Sequence, residues 1–197
     1  MMCCGYKNYL LLSPCDIIRT QMFSEPEKNI AQFHVDPGMT VVDIGAGIGH
    51  YAIALSKAVG DAGHVYAIEV QQDLLNKLKT EADNQHLRNI DIIWSDVEEE
   101  RGTTLVDHIA DRVIISNVLF QVRDREAVIR EASRIVKPKG KMLIIDWTES
   151  HGGLGPKPAD VITPEEVMDS AKRNGFEFDR KINTGEYHYG LIFKTNG

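Results

Sequence analysis

Thr40-Val41-Val42-Asp43-Ile44-Gly45-Ala46-Gly47-Ile48-Gly49-His50 is an apolar, β-branched run that meets glycines at alternate positions. A buried strand there enters a tight turn, where glycine lets backbone pack directly against a ligand. Asp43 stands two residues before the first glycine. The third glycine comes one place too early for the G-x-G-x-x-G spacing of dinucleotide folds, in which a third small residue admits the helix against the strand. His50 and Tyr51 stand there instead, and neither is small.

The chemistry of the ligand follows from that difference. A dinucleotide presents an anionic pyrophosphate to the turn, and a carboxylate at Asp43 would repel it. S-adenosylmethionine has no phosphate and carries a positive sulfur beside an ammonium and a carboxylate, so Asp43 suits its ammonium, directly or through water. The turn and Asp43 together favour S-adenosylmethionine over NAD. The plain alternative is a strand-to-helix turn with no ligand.

With 197 residues, 43% of them hydrophobic, the chain has enough material for one good core and little for two. The net charge of −7 and pI near 5.5 weigh against binding bulk nucleic acid. Cys3, Cys4 and Cys15 are too few to staple such a domain, and no Cys/His grouping has a zinc spacing, so no metal is expected. They read as reduced thiols of a cytoplasmic protein. Tyr9–Leu12 is too short for a signal-peptide core, and no apolar stretch approaches the about 20 residues that span a bilayer.

Short apolar runs alternate with amphipathic stretches, which marks an α/β domain with a largely parallel sheet. Strands are expected at Thr40–Gly45, His64–Val70, Ile90–Asp96, Asp111–Val118 and Lys141–Trp147. Helices are expected at Tyr51–Val59, Gln72–Ala82 and Arg125–Val136, the last stopped by Pro138 and Gly140. Thr163-Pro164-Glu165-Glu166 is a capping box that opens a helix ending at Asn174-Gly175. Phe176–Ile182 and Tyr189–Lys194 follow as an antiparallel strand pair. Residues 1–35 form a helical cap segment, with helices at Pro14–Phe23 and Glu25–Phe33 and Ser24 as a possible cap of the second. Residues 36–197 form the main domain, in which 151–158 read as a mobile loop.

Ligands of an open α/β sheet bind outside the carboxyl ends of its strands. Glu69 ends the second strand, where a carboxylate can accept from both ribose hydroxyls, and it fits NAD equally well. Asp96 ends the third strand, where it accepts from an adenine amino group beside the Val97 N–H, or simply caps a helix. Read together, Asp43, Gly45, Ala46, Gly47, Gly49, Glu69, Val70, Asp96, Val97 and Asn117 are the expected cofactor-binding set.

The chain resembles the class I S-adenosylmethionine-dependent methyltransferases through residues 41–49, His64-Val-Tyr-Ala-Ile-Glu-Val70 and Ile92-Ile-Trp-Ser-Asp-Val97. Ser116-Asn-Val-Leu-Phe-Gln-Val122, residues 134–146 and Thr163-Pro-Glu-Glu with Asn174-Gly-Phe176 resemble its small-molecule branch, which includes ubiquinone/menaquinone-biosynthesis and arsenite methyltransferases. The resemblance runs from about residue 35 to the end. It implies a Rossmann-like, doubly wound, seven-stranded sheet in the order 3-2-1-4-5-7-6, with strand 7 antiparallel. It implies methyl transfer to a small molecule, with S-adenosylhomocysteine as product, by a monomer or homodimer. The other readings are an RNA or protein methyltransferase, a non-catalytic S-adenosylmethionine-binding partner subunit and, more distantly, a NAD-dependent reductase. Many relatives carry a His pair where this chain has Phe120-Gln121, and a Gly where it has Lys139; the cysteines do not match those of the metalloid branch.

Methyl transfer from a sulfonium is an in-line displacement governed by alignment and dryness. Where the acceptor must lose a proton, Asp146 at the fifth strand's end and His151 in the next loop are the candidate bases, and Asn117 can orient a substrate. Each also has a plain role, as a strand-end carboxylate or an exposed loop residue. Tyr6, Tyr9, Phe23, Phe33, Phe120 and Trp147 are aromatics that either wall a substrate pocket or pack the core.

Overall fold

The computed structural model describes residues 25–150 and 155–195. In chain order these form α1 (Pro26–Phe33), β1 (Thr40–Ile44), α2 (His50–Val59), β2 (His64–Glu69), α3 (Gln72–Asn84) and β3 (Ile90–Trp94). There follow β4 (Ala110–Ser116), α4 (Arg125–Ile135), β5 (Val136–Trp147), α5 (Pro164–Arg173), β6 (Phe176–Ile182) and β7 (His188–Thr195). The strands make one sheet in the order β3-β2-β1-β4-β5-β7-β6, and β7 runs antiparallel to both its neighbours. This is the topology that the resemblance implied.

The near-continuous apolar runs follow from burial of the sheet on both faces. Side chains alternate across a strand, so Val42, Ile44, Val113, Ile115 and Ile144 join one core layer with Val128 and Ile129 of α4 and Val167 of α5. Val41, Ile114, Leu143 and Ile145 point the other way, onto Ile30 and Phe33 of α1, Leu55 of α2 and Leu78 of α3. Chain order reverses between β1 and β4, which are neighbours in the sheet. Their following loops depart to opposite sides and leave a crevice at the carboxyl ends.

The start of β5 departs from expectation for a physical reason. The helix expected to run through Val136 ends at Ile135, because Val136 already pairs with Ala110 as the start of β5. Register then jumps to Arg112 with Lys141, and residues 137–140 bulge out of the ladder, with Lys139 at φ +65°. Glu25 is the residue that precedes α1, and its side chain makes no capping bond; Ser24, like the expected helix at Pro14–Phe23, lies outside the described residues. The capping box at Thr163 is complete, with Thr163 and Glu166 each accepting the other's backbone N–H. Among the described residues, no helix is long and apolar enough to cross a membrane.

Candidate functional site

The turn after β1 is built onto the end of β2: the backbone N–H groups of Gly45 and Ala46 both donate to the Ile68 carbonyl at 2.9 Å. All three glycines of the turn have positive φ, a conformation that L side chains rarely adopt. Their surroundings differ. A Cβ at Gly45 would lie 2.3 Å from Cγ2 of Val118, and one at Gly49 would lie 2.1 Å from Cδ1 of Leu78. A Cβ at Gly47 would meet nothing within 4 Å. Gly45, Ala46 and Gly47 line a cavity at the crevice, whereas Gly49 lies outside it and lets α2 approach α3. The third glycine therefore serves helix packing, the task of the last small residue in dinucleotide folds, one position early.

Glu69 joins turn and cavity. Its Oε2 accepts the Gly47 N–H at 3.0 Å, and its Oε1 accepts those of Val70 and Gln71 at 2.9 Å each. Burial pushes its carboxyl up, and these three donors pull it back only in part. Asp43 is 2% exposed, and burial raises it from 3.8 to about 7, against the Ala52 N–H and with help from the Glu69 charge. Its Oδ2 has no hydrogen-bond partner, and it lies on the cavity. A buried acceptor without a donor is costly, so it marks where a donor belongs.

The third and fourth strand ends complete the wall. Ser95, Asp96, Val97 and Glu98 line it after β3, and Asp96 Oδ1 accepts the Glu98 N–H at 2.9 Å. After β4, Ser116 and Asn117 line the cavity, and Ser116 Oγ and Asn117 Oδ1 are buried without partners. Asn117 has φ +58°, donates its N–H to Ile145 and accepts the Gln121 side-chain amide on its carbonyl at 2.6 Å. Pro26 of α1 and Tyr51 of α2 also line the cavity, and the Tyr51 hydroxyl accepts from Asn29 at 2.7 Å. Of the expected cofactor set, all but Gly49 line the cavity.

Asp146, one of the two expected bases, stands elsewhere. Asp146 is 1% exposed and absent from the cavity wall; it accepts the Trp147 N–H at 2.9 Å and faces the N–H groups of Leu119 and Phe120, and burial raises it to about 7. It supports the loop after β4 from below. His151, Tyr6, Tyr9 and Phe23 lie outside the described residues. Phe33 is core, beneath the Arg112 guanidinium, Trp147 packs on His188, and neither these nor Phe120 lines the cavity. Tyr51, Ser116, Gln121 and Glu98 are wall residues that the sequence reading did not select; strand-end position alone pointed to Ser116.

A seven-stranded sheet with an antiparallel strand 7, and a cavity between a glycine turn and three acidic strand ends, define the methyltransferase class of Rossmann-like proteins. The chain belongs to the family described as Methyltransferase domain, whose model matches residues 35–194. It is 31% identical over 117 residues to a ubiquinone/menaquinone biosynthesis C-methyltransferase of Vibrio campbellii, covering 57% of this chain and 43% of that one. It is 30% identical over 115 residues to a demethylmenaquinone methyltransferase of Bacillus mycoides, covering 58% and 47%. The chain thus spans about half the length of these curated relatives. A solved structure of an S-adenosylmethionine-dependent methyltransferase from Aquifex aeolicus is 29% identical with a TM-score of 0.80, over 93% of this chain and 94% of that one.

Proposed function

We propose that this protein transfers a methyl group from S-adenosylmethionine to a small-molecule acceptor. The observation that carries this reading is the buried, unpartnered Oδ2 of Asp43 in the same cavity wall as Gly47, where a Cβ would meet open space. Those two features suit an ammonium and close backbone contact with its bearer. S-adenosylmethionine supplies, when bound, an electrophilic methyl on a positive sulfur.

The remaining work belongs to the chain's own residues. Asp43 pairs with the ammonium and is held ionised by it. Glu69, with its strand end fixed by three backbone donors, turns its remaining acceptor capacity to the ribose hydroxyls. Asp96 and the Val97 N–H take the adenine edge. Ser116, Asn117 and Gln121 would supply neutral polar groups from the end of β4 and the loop after it to orient an acceptor. α1 contributes Pro26 to the cavity wall. Asp146 acts through the loop that it supports, so no base is assigned. Among the described residues, the titratable lining is Asp43, Glu69, Asp96, Glu98 and His50; burial lowers the His50 imidazole toward its neutral form, and four carboxylates without Lys or Arg give RNA phosphates no counter-charge.

Transfer of a radiolabelled methyl from S-adenosylmethionine into separate metabolite, RNA and protein pools tests the proposal. Label should enter the metabolite pool. Label confined to RNA or protein would overturn the acceptor class, and tight adenosyl binding without transfer to any pool would support the partner-subunit reading instead.

A further inference from the structure

The loop between β4 and α4 contributes Val118, Gln121 and Val122 to the cavity wall, and it is fastened at two ends. Its near end is pinned to the core. Asp146 faces the N–H groups of Leu119 and Phe120, and the Arg125 guanidinium donates to the Leu119 carbonyl at 3.0 Å and to the Asp160 carbonyl at 2.8 Å. The far end is held differently. One oxygen of Glu98, which belongs to the loop after β3, accepts the backbone N–H groups of both Arg123 and Asp124 at 2.8 Å. Asp124 in turn caps α4 by accepting the Ala127 N–H.

Glu98 is itself oriented from the other side of the cavity. Its own N–H donates to Asp96 Oδ1 at 2.9 Å, so the turn that presents the Glu98 carboxylate is built on the carboxylate at the end of β3. A short chain of hydrogen bonds thus runs from Asp96, through Glu98, to the segment that carries Gln121 and Val122. It crosses 25 to 26 positions of sequence, from residue 98 to residues 123 and 124. An isolated surface carboxylate has no need to accept two backbone N–H groups of a distant loop; one that bridges two walls of a cavity fixes their separation.

We infer that Glu98 is a positioning residue: it transmits occupancy of the cofactor end of the cavity to the loop that faces the acceptor. The inference rests on the proposed binding of an adenosyl ligand against Asp96. A ligand that draws Asp96 into one geometry fixes the turn at 96–98, and the two Glu98 bonds then hold residues 121–124 in the arrangement that an acceptor meets. Glu98 touches no reacting atom in this account; it acts through the loop.

Hydrogen–deuterium exchange of the full chain, with and without saturating S-adenosylhomocysteine, tests this without a known acceptor. In the unaltered protein the ligand should slow exchange at residues 44–49 and 95–97 and, by about tenfold, at residues 118–124. Glu98→Ala should keep the slowing at 44–49, which shows that the variant is folded and loaded, and lose it at 118–124. Glu98→Gln retains a side-chain oxygen that can accept both N–H groups, and it should restore most of the effect. Slowing at 118–124 that persists in Glu98→Ala, or slowing at 44–49 with none at 118–124 in the unaltered protein, would overturn the coupling alone. No slowing anywhere in the unaltered protein would overturn the adenosyl reading and this role together.

Discussion

Glu69 accepts the backbone N–H of Gly47 at 3.0 Å, so the carboxylate that ends β2 also holds the turn that follows β1. The two residues stand 22 positions apart in sequence and form one surface of the cavity. Glu69→Ala should therefore weaken S-adenosylhomocysteine binding by roughly 1.5–3 kcal/mol, the worth of hydrogen bonds to a charged group. Glu69→Gln should not rescue it. Both carboxylate oxygens accept from backbone, and an amide sets an NH2 against one of those donors. Titration calorimetry of the two variants gives the answer; unchanged affinity would leave Glu69 as a strand-end support only.

The glycines of the turn should separate binding from stability. Gly49→Ala places a methyl 2.1 Å from Leu78 at φ +94° and should cost about 2–5 kcal/mol of stability, overpacking added to left-handed strain. Gly47→Ala meets open space, so its stability cost is the about 1–2 kcal/mol of a left-handed alanine, while the new methyl crowds the ligand. Thermal melts and calorimetry on both should show Gly49→Ala losing mainly stability and Gly47→Ala losing mainly affinity. The reverse pattern would exchange the assignments.

Stability should depend on pH chiefly through two fully buried carboxyls, with the raised Glu69 acting in the same sense. Asp43 and Asp146 ionise near 3.8 when unfolded and at about 7 when folded. Across that window the folded chain binds more protons than the unfolded one, so these groups make stability fall as pH rises from about 4 to about 7. Glu126, held down at about 2 by Arg173, acts in the opposite sense and in a lower window: its contribution is lost as pH falls from about 4.5 toward 2. Asp146→Asn should flatten the upper window in denaturant melts of the ligand-free protein. An unchanged slope would contradict a protonated, buried Asp146.

Lys139 sits exposed on the β5 bulge with φ +65°. A left-handed lysine costs about 1 kcal/mol, and glycine relieves it while giving up part of the gain to unfolded-chain entropy. Lys139→Gly should thus stabilise by roughly 0.5 kcal/mol and raise the melting temperature by about 1–2 °C. A lower melting temperature would show that the lysine side chain contributes more than its backbone costs.

Much of this was legible because the information is local. A strand buried on both faces must be apolar at successive positions, and so Val113–Ile115 and Met142–Ile145 are recognisable without any partner in view. Asp43, Glu69 and Asp96 were legible for a related reason, since each stands at or just beyond the end of an apolar run and open α/β sheets gather such positions at one end. What escaped depends on contacts between distant segments. Whether Gly49 faces a ligand or Leu78 is decided by α3, which the turn's own spacing does not reveal. Asp146 resembles a base at a strand end until Leu119 and Phe120 fold over it, and Glu98 is one of three consecutive glutamates until Arg123 and Asp124 come alongside. The start of β5 was missed because its pairing of Val136 with Ala110 precedes a bulge that, in sequence, looks like a helix stop.

Titration calorimetry of the full chain with S-adenosylhomocysteine and, separately, with NADH tests the central claim most directly. The cavity around Asp43 and Gly47 predicts saturable binding of S-adenosylhomocysteine that Asp43→Asn weakens, and no binding of NADH. Binding of NADH with no response to S-adenosylhomocysteine would contradict it.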